Sequence, residues 1–306
     1  MASQVKRTEA WAGNKSARAS MARAHTAMMD EKFADIIEEC AAKTVEYPDM
    51  HVPDILQHPN YIYPYIFCVA ETTTQCLYHI VNQSFIPDNH NKGFTKIALL
   101  NFASYKHPGG MFMEGSIAQE EALCHKSILY NVLRLHDKDY YARNRASTNR
   151  ALYNDNLLYS PDVIFIDPNG NVVKADVITS AAPNASAALK YSKVDEEDIF
   201  YALYSRIDHI LYAAMDNHVD TLILGAYGCG VFGNDPCMVA DIFMHYLCGK
   251  YYGQFNAIYF AIPRGKGNDN YDVFTIQINR YTDEDNGLIA PESDDYIMNL
   301  LKFQEE

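Results

Sequence analysis

A glycine turn followed by two adjacent carboxylates is the first candidate for chemistry in this sequence. Gly109 and Gly110 leave room for a ligand to lie against the backbone, because residues without a Cβ also tolerate positive φ. Gln119, Glu120 and Glu121 then open a probable helix, and we expect these side chains to be exposed there and to point at the loop. A simpler explanation is that the two acids favour the positive end of the helix dipole.

A second glycine-rich turn, GAYGCGVFGNDP, begins at Gly225, after an apolar strand and before a helix start. Its GxGxxG pattern is typical of dinucleotide-binding dehydrogenases, which need an acidic residue about twenty positions later to hold the ribose hydroxyls. No Asp or Glu lies between Asp241 and Asp269. We therefore interpret the turn as a diphosphate cradle of bare N–H groups. Its candidate residues are Gly228, Cys229, Gly230, Val231, Phe232 and Gly233.

Two of these residues have an alternative interpretation. Phe232 can pack on a sugar or a base, but both Phe232 and the neighbouring Val231 have side chains that would also suit a protein core. The glycines of both loops can likewise be simple turns.

The elements that must position these loops alternate between strand and helix. Apolar strands over 63–70, 95–103, 221–224 and 257–262 are separated by helical segments, and a helix after Gln119 is expected to bury Ile128, Leu129, Val132 and Leu133. Two further β-rich runs joined by Asp167-Pro168-Asn169-Gly170 predict a hairpin. Helices are expected over 196–217, from about 235 to 252 and over 294–303. The order predicts α/β layering.

The first sixty residues are expected to form a helical accessory segment. Phe33, Ile36, Ile37 and Cys40 recur at helical spacing, and Pro48, Pro53 and Pro59 mark a loop before the first strand of the α/β region. The sequence thus divides into residues 1–60 and residues 61–306.

Charge and composition exclude several classes of protein. The net charge of −14 argues against direct nucleic-acid binding, which needs clustered Lys and Arg. No apolar run is long enough to span a membrane. Seven cysteines without a CxxC pair indicate a reducing compartment, cytoplasmic, or nuclear in a eukaryote. His107, His125 and His136 form no metal-binding pattern, so we expect neither a metal nor another cofactor.

Several motifs, taken together and in this order, carry a family resemblance. NFAS, PGG and QEE in the first stretch, SPD at 160–162, DVITSAAPN, and LGAYGCGVFGNDP resemble the microbial-type poly(ADP-ribose) glycohydrolases from about residue 63 to residue 278. The resemblance implies a macrodomain: a three-layer α/β/α domain with a mixed central sheet, here with an N-terminal helical extension. It also implies ADP-ribose, poly(ADP-ribose) or ADP-ribosylated proteins as binding partners.

The resemblance also implies roles for individual residues. Glu121 matches the catalytic glutamate, Glu120 matches the neighbour that binds the ribose hydroxyls, and Asn101 matches a residue near the same ribose. Gly109 and Gly110 match the catalytic loop, and Gly228, Gly230, Val231 and Phe232 match the diphosphate loop. The family pattern has a third loop glycine where this chain has Met111.

The implied reaction breaks a ribose–ribose bond through an oxocarbenium-like state, for which one acid is the minimum requirement. We expect protonated Glu121 to donate to the leaving oxygen and then to activate water, since burial and a close second carboxylate favour the protonated form of a glutamate. Two alternatives stay open: a module that binds ADP-ribose without hydrolysis because of Met111, and a hydrolase of another ADP-ribosyl linkage, on a protein side chain or a nucleic-acid base.

Overall fold

A computed structural model describes residues 13–53, 64–82, 96–265, 269–283 and 286–288 of the chain. Its centre is a sheet of seven strands in the order β1-β4-β5-β3-β6-β7-β2. β1 pairs antiparallel with β4 and β4 antiparallel with β5, and the other neighbours are parallel, so the sheet is mixed. The strands are β1 Val45–Tyr47, β2 Tyr65–Val69, β3 Ile97–Phe102, β4 Leu157–Ile166, β5 Val172–Ser180, β6 Thr221–Leu224 and β7 Ala257–Ala261.

Helices cover both faces of this sheet and form two separate apolar cores. The helices are α1 Lys15–Lys43, α2 Thr73–Val81, α3 Gln119–Cys124, α4 Leu129–Leu133, α5 Tyr140–Ala146, α6 Ala185–Tyr191, α7 Glu196–Asp216, α8 Pro236–Cys248 and α9 Asn270–Ile278. α1 to α5 pack on one face and α6 to α9 on the other. Residues of β6 and β7 are buried on both sides, as central parallel strands require. The predicted three-layer α/β/α architecture with a mixed sheet is confirmed.

Local chemistry explains why several predicted elements begin and end where they do. The predicted hairpin forms between β4 and β5, and the Asp167 carboxylate accepts from the N–H groups of Asn169 and Asn171, each at 2.8 Å. α8 begins at Pro236 after Asp235, whose side chain accepts from the next turn. β6 and α7 match the prediction to within one residue.

The helix expected after Gln119 is two helices in the structure. α3 ends at Cys124, and the chain then crosses to β4, where Ile128 N–H donates to Ile164 O and Lys126 O accepts from Ile166 N–H. This tertiary pairing interrupts the helix before α4, although the expected apolar residues 128, 129, 132 and 133 are all fully buried. The strand expected over 63–70 is shorter, and the helix expected over 294–303 lies outside the described residues.

The described part of the N-terminal sixty residues packs directly on the α/β layers. α1 begins after Asn14, whose side chain accepts from Ala17 N–H, and it buries Met29, Ile37 and Cys40 in the core that it shares with α3 and α4. β1 adds an edge strand to the sheet. The division at residue 60 stays a prediction. No helix within the described ranges has both the length and the apolarity that crossing a bilayer requires.

Candidate functional site

The start of α3 is fixed to the end of β3 by one side chain. Gln119 Oε1 accepts from Phe102 N–H at 2.9 Å, and its Nε2 donates to Leu100 O at 2.8 Å and to Thr73 Oγ1 at 3.1 Å. The predicted ligand-facing amide is therefore used within the protein. Its role is to hold the two glutamates that follow it against the carboxyl end of the sheet.

Glu120 and Glu121 are buried, which corrects the expectation that they are exposed. Their side chains are 3% and 5% exposed. The glycine loop folds over them: a Cβ at Gly110 would lie 2.6 Å from Glu121 Oε1 and 2.8 Å from Glu120 Oε2. The helix dipole alone does not explain this burial, because exposed carboxylates at a helix N-terminus are stabilised by the same dipole without the cost of leaving water.

Glu120 is held at both oxygens. Ser104 N–H donates to its Oε2 at 2.7 Å, and Asn101 Nδ2 donates to its Oε1 at 3.2 Å. Burial raises the pKa of Glu120 to about 8; the two hydrogen bonds oppose this rise, and the charge of Glu121 adds to it. Burial therefore favours the protonated form of Glu120. Sequence reasoning missed Ser104, although it lies within the NFAS motif.

One carboxyl oxygen of Glu121 accepts a hydrogen bond, and the other accepts none from the described residues. Its Oε1 accepts from Met111 N–H at 2.9 Å, whereas its buried Oε2 has no hydrogen-bond partner among the described residues. Asn101 Oδ1 is in the same situation. Because buried polar atoms in native proteins are nearly always paired, two orphaned oxygens in one site indicate a place for ligand hydroxyl groups.

The glycine pair of this loop is a conformational requirement. Gly109 and Gly110 have φ values of 66° and 61°, in the left-handed region that side chains disfavour. Met111, at the place of the family's third glycine, has φ −106° and ψ 35°, a backbone that any residue adopts. Its side chain is 44% exposed and only its N–H contacts Glu121. A methionine side chain at this position is therefore compatible with the loop angles and with the contact between its N–H group and Glu121.

The second loop presents unpaired backbone donors. Among the described residues, no acceptor faces the N–H groups of Gly230, Val231 or Phe232, whereas Gly233 N–H and Asn234 N–H close turns within the loop. Val231 is 87% exposed, so the alternative of core packing is wrong for this residue. Phe232 is half-buried. Three adjacent free N–H groups before a helix start form an anion-binding cradle.

Side chains beneath the second loop hold its shape. Gly228 has φ 72°, and a Cβ there would lie 2.3 Å from Asn234 Nδ2, which donates to Gly228 O and Pro183 O. Tyr227 is fully buried, and its hydroxyl hydrogen-bonds to Ser180 Oγ at 2.9 Å. Two predicted residues, Cys229 and Gly233, do not line the cleft: Cys229 packs against the core, and Gly233 packs against Ser186 of α6. Phe232 also packs partly against the core, so the alternative of core packing is partly correct for this residue.

A cleft of about 470 Å³ lies between the second loop and residues 117–119, which lead from the first loop into α3. Gly109, Gly110, Met111, Glu120 and Glu121 do not line this cleft. The two loops follow β3 and β6, which are neighbouring parallel strands, so both open at the same sheet edge. Gln119 lines the cleft beside the buried acids, and Gly228, Gly230, Val231 and Phe232 line its other side. The remaining wall was not identified from sequence: Thr72–Thr74 at the start of α2, 261–263 after β7, and Asn270. Only their position at strand ends could have signalled them.

The histidines considered in the sequence do not converge. His125 packs edge-on against Phe112, with ring centroids 4.7 Å apart, and burial lowers its pKa to about 4. His107 lies on the first loop and His136 follows α4. Within the described ranges, no three His, Cys, Asp or Glu side chains form a group suited to a metal ion.

Comparisons with known proteins identify relatives of this chain. A sequence model described as microbial-type PARG, catalytic domain, matches residues 17–167. A solved poly(ADP-ribose) glycohydrolase from Thermomonospora curvata, bound to the inhibitor ADP-HPD, is 30% identical with a TM-score of 0.71, over 86% of this chain and 99% of that one.

The corresponding protein from Deinococcus radiodurans, solved with ADP-ribose, is 29% identical with a TM-score of 0.68, over 79% of this chain and 96% of that one. A search of curated proteins gave no match. The matched domain, the shared fold and the 30% identity over nearly the whole of a solved relative agree, and the chain belongs to the microbial-type poly(ADP-ribose) glycohydrolase family.

Proposed function

We propose that this protein hydrolyses the ribose–ribose O-glycosidic bonds of poly(ADP-ribose) and releases ADP-ribose. One observation carries the proposal: Glu121 keeps a buried, unpartnered carboxyl oxygen beside a second buried carboxyl group, next to a cleft with free N–H donors. A module that only binds ADP-ribose has no need for two buried acids, because removing carboxyl groups from water costs free energy. An enzyme needs such a pair to store a proton.

In the proposed complex, the second loop holds the diphosphate. The N–H groups of Gly230, Val231 and Phe232 donate to phosphate oxygens, and the dipole of α8 adds to the attraction. Local donors of this kind bind an anion despite the net charge of −14. Phe232, which lines the cleft, packs on the sugar next to the diphosphate.

The two carboxyl groups have separate tasks in the proposed reaction. Glu120, fixed by Ser104 and Asn101, binds the ribose hydroxyls and retains the proton that burial favours. Glu121 enters the reaction protonated at Oε2 and donates this proton to the leaving ribose oxygen as the C–O bond breaks, which leaves Glu121 as a carboxylate. Water then adds to the oxocarbenium carbon, and Glu121 accepts the proton that this water releases.

The ribose must reach Glu121 past the loop that covers it. Gly109 and Gly110 lie over the carboxyl groups and carry no side chains, so a small shift of this loop opens the path. The neighbouring diphosphate supports the positive charge that develops on the sugar, since its own charge is opposite and the site contains little water.

The decisive experiment separates polymer from single units. Wild type and Glu121→Gln are incubated with poly(ADP-ribose) and with mono-ADP-ribosylated protein, and released ADP-ribose is measured by chromatography. We expect wild type to act on the polymer and Glu121→Gln to lose at least about a thousandfold in kcat, while its affinity for ADP-ribose stays within a few-fold.

Glu114→Gln is the matched control, because Glu114 lies on the same loop and its side chain is exposed. It should retain wild-type activity. Release from the mono-ADP-ribosylated protein alone would assign the site to another ADP-ribosyl linkage. Binding of ADP-ribose without release from either substrate would identify a binding module.

We also propose that the protein acts in a reducing compartment such as the cytoplasm. All seven cysteines are free thiols in the structure, and Cys40, Cys76 and Cys124 are buried without a disulfide partner. Fractionation of cells that express the protein, with antibody detection, tests this proposal, and recovery in a secreted fraction would contradict it.

A further inference from the structure

The N-terminal helix contacts the catalytic loop at Gly115, five residues after the glycine that lies against the glutamates. The loop leaves Gly110, turns through a short 3₁₀ segment at Phe112–Glu114, and ends at Gly115. Gly115 lies against α1 so closely that a Cβ there would be 2.2 Å from Lys15 O and 2.8 Å from Ala19 N. The backbone of the loop therefore packs on the backbone of the helix.

A charged hydrogen bond fixes this contact. Arg18 Nε donates to Gly115 O at 2.7 Å, and its Nη1 donates to Gly13 O, just before the helix. Hydrogen bonds from a guanidinium are about twice as strong as neutral ones. Arg18 thus joins the end of the catalytic loop to the first turn of α1.

Further contacts along α1 hold the middle of the loop. The Phe112 ring is fully buried, with its centroid 5.2 Å from that of Tyr130 and 6.5 Å from that of His25 on α1. Thr26 Oγ1 lies 3.7 Å from Met113 Sδ, one residue further along the loop. The helix therefore touches three successive parts of the same loop.

α1 is itself anchored to the catalytic layer. Asp30 Oδ1 accepts from Asn131 Nδ2 at 2.8 Å and from Arg134 Nη2 at 2.6 Å, both at or next to α4, and His25 Nε2 lies 2.9 Å from Ser127 O. A helix with these fixed points acts as a rigid support for the loop, because its position does not depend on the loop that it holds.

The turn that α1 supports also positions the backbone N–H group that donates to Glu121. Ser116 N–H and Glu114 N–H both donate to Met111 O, at 3.1 Å and 3.2 Å, and Gly115 N–H donates to Phe112 O at 3.0 Å. These bonds connect Gly115 to Met111, whose N–H donates to Glu121 Oε1. A shift at Gly115 is therefore transmitted to the hydrogen bond that orients Glu121.

We propose that Arg18 is a positioning residue for hydrolysis, which holds the catalytic loop through Gly115 so that Met111 N–H keeps Glu121 in its reactive orientation. This inference rests on the proposed function, since it concerns the same glutamate. It assigns to the N-terminal helix an indirect part in the reaction, through the end of the catalytic loop at Gly115.

The test compares Arg18→Met with Arg18→Lys and with Lys32→Met. Methionine keeps the aliphatic stem of Arg18 and removes its donors, and lysine restores one charged donor. Lys32→Met removes a positive charge from an exposed position of the same helix. For each variant, kcat and KM on poly(ADP-ribose), the Kd for ADP-ribose by calorimetry and the unfolding midpoint are measured.

We expect Arg18→Met to lower kcat on the order of tenfold, with KM and the Kd for ADP-ribose within about twofold of wild type. Arg18→Lys should recover part of kcat, and Lys32→Met should match wild type. An equal loss in kcat and in ADP-ribose affinity, or a loss that follows only the unfolding midpoint, would show a merely structural role and overturn the inference. Wild type that is inactive on the polymer would instead refute the proposed function.

Discussion

Adding one methyl group at Gly110 tests the central geometry of the site. In Gly110→Ala the new Cβ would lie 2.6 Å from Glu121 Oε1 and 2.8 Å from Glu120 Oε2, where ordinary contacts begin near 3.4 Å. The two oxygens must retreat by roughly 0.6 to 0.8 Å, or the loop must lift by the same distance. The substitution also places alanine at φ 61°, which costs about 1–2 kcal/mol of folding free energy.

Because catalytic groups displaced by about 1 Å lose about a hundredfold in rate, we expect Gly110→Ala to lower kcat by about that factor. Affinity for ADP-ribose should change far less, since the proposed diphosphate cradle lies on the other loop. Activity is measured as release of ADP-ribose from the polymer, binding by calorimetry, and the free energy of unfolding by urea titration.

Gly170→Ala provides the matched control. Gly170 has φ 88° in the hairpin turn between β4 and β5, and a Cβ there would meet nothing within 4 Å. It carries the same backbone strain without the contact, so we expect a similar loss of stability and full activity. If Gly110→Ala kept wild-type kcat while losing the same stability as the control, the placement of the glutamates beneath this glycine would be wrong.

Three further predictions concern Glu120, Met111 and the buried Arg206. Folding favours the protonated carboxyl of Glu120, whose pKa burial raises to about 8, so ionisation of this group opposes folding as the pH rises from about 4.5 to 8. Glu120→Gln should therefore match wild type in free energy of unfolding near pH 4 and exceed it by about 2–4 kcal/mol at pH 8.5. Urea titration at several pH values measures this difference. A difference that stays constant across this pH range would contradict the assigned burial. Met111→Gly should change kcat on the polymer by less than about threefold, since only the backbone N–H of Met111 contacts Glu121. The added backbone freedom of glycine should cost about 0.5–1 kcal/mol of folding stability. A large gain in kcat would show that the Met side chain obstructs the substrate. Arg206→Met should destabilise the fold by about 3–5 kcal/mol, because it removes the buried guanidinium whose Nε donates to Asp155 Oδ1 at 2.6 Å. Thermal or urea unfolding measures this loss. An unchanged unfolding midpoint would show that this ion pair does not stabilise the fold.

The sequence by itself determined the α/β architecture and the positions of the two glycine loops along the chain. Alternating apolar strands and amphipathic helices predict an α/β protein, because the spacing of apolar residues along the chain distinguishes helices from strands. The hairpin turn at Asp167 and the start of α8 at Asp235 depend on contacts within a few residues, so they were also predictable. The two glycine loops and the adjacent glutamates could be found from their order along the chain.

Properties that arise from distant contacts were decided only by the tertiary structure. The burial of Glu120 and Glu121 depends on a loop that folds back over them, and the free oxygen of Glu121 depends on which donors that loop supplies. The break between α3 and α4 comes from pairing with β4, where Ile128 N–H donates to Ile164 O, 36 residues further along the chain. Local residue order does not encode this contact.

The support of the catalytic loop by α1 is of the same kind. Arg18 and Gly115 are separated by 97 positions in the chain, and neither residue is distinguished by its neighbours in sequence. Local propensity specifies which elements form, because it acts over one or two turns of chain. Which oxygen stays free, which carboxyl keeps a proton and which helix holds the loop are set by packing, and packing exists only in the folded molecule.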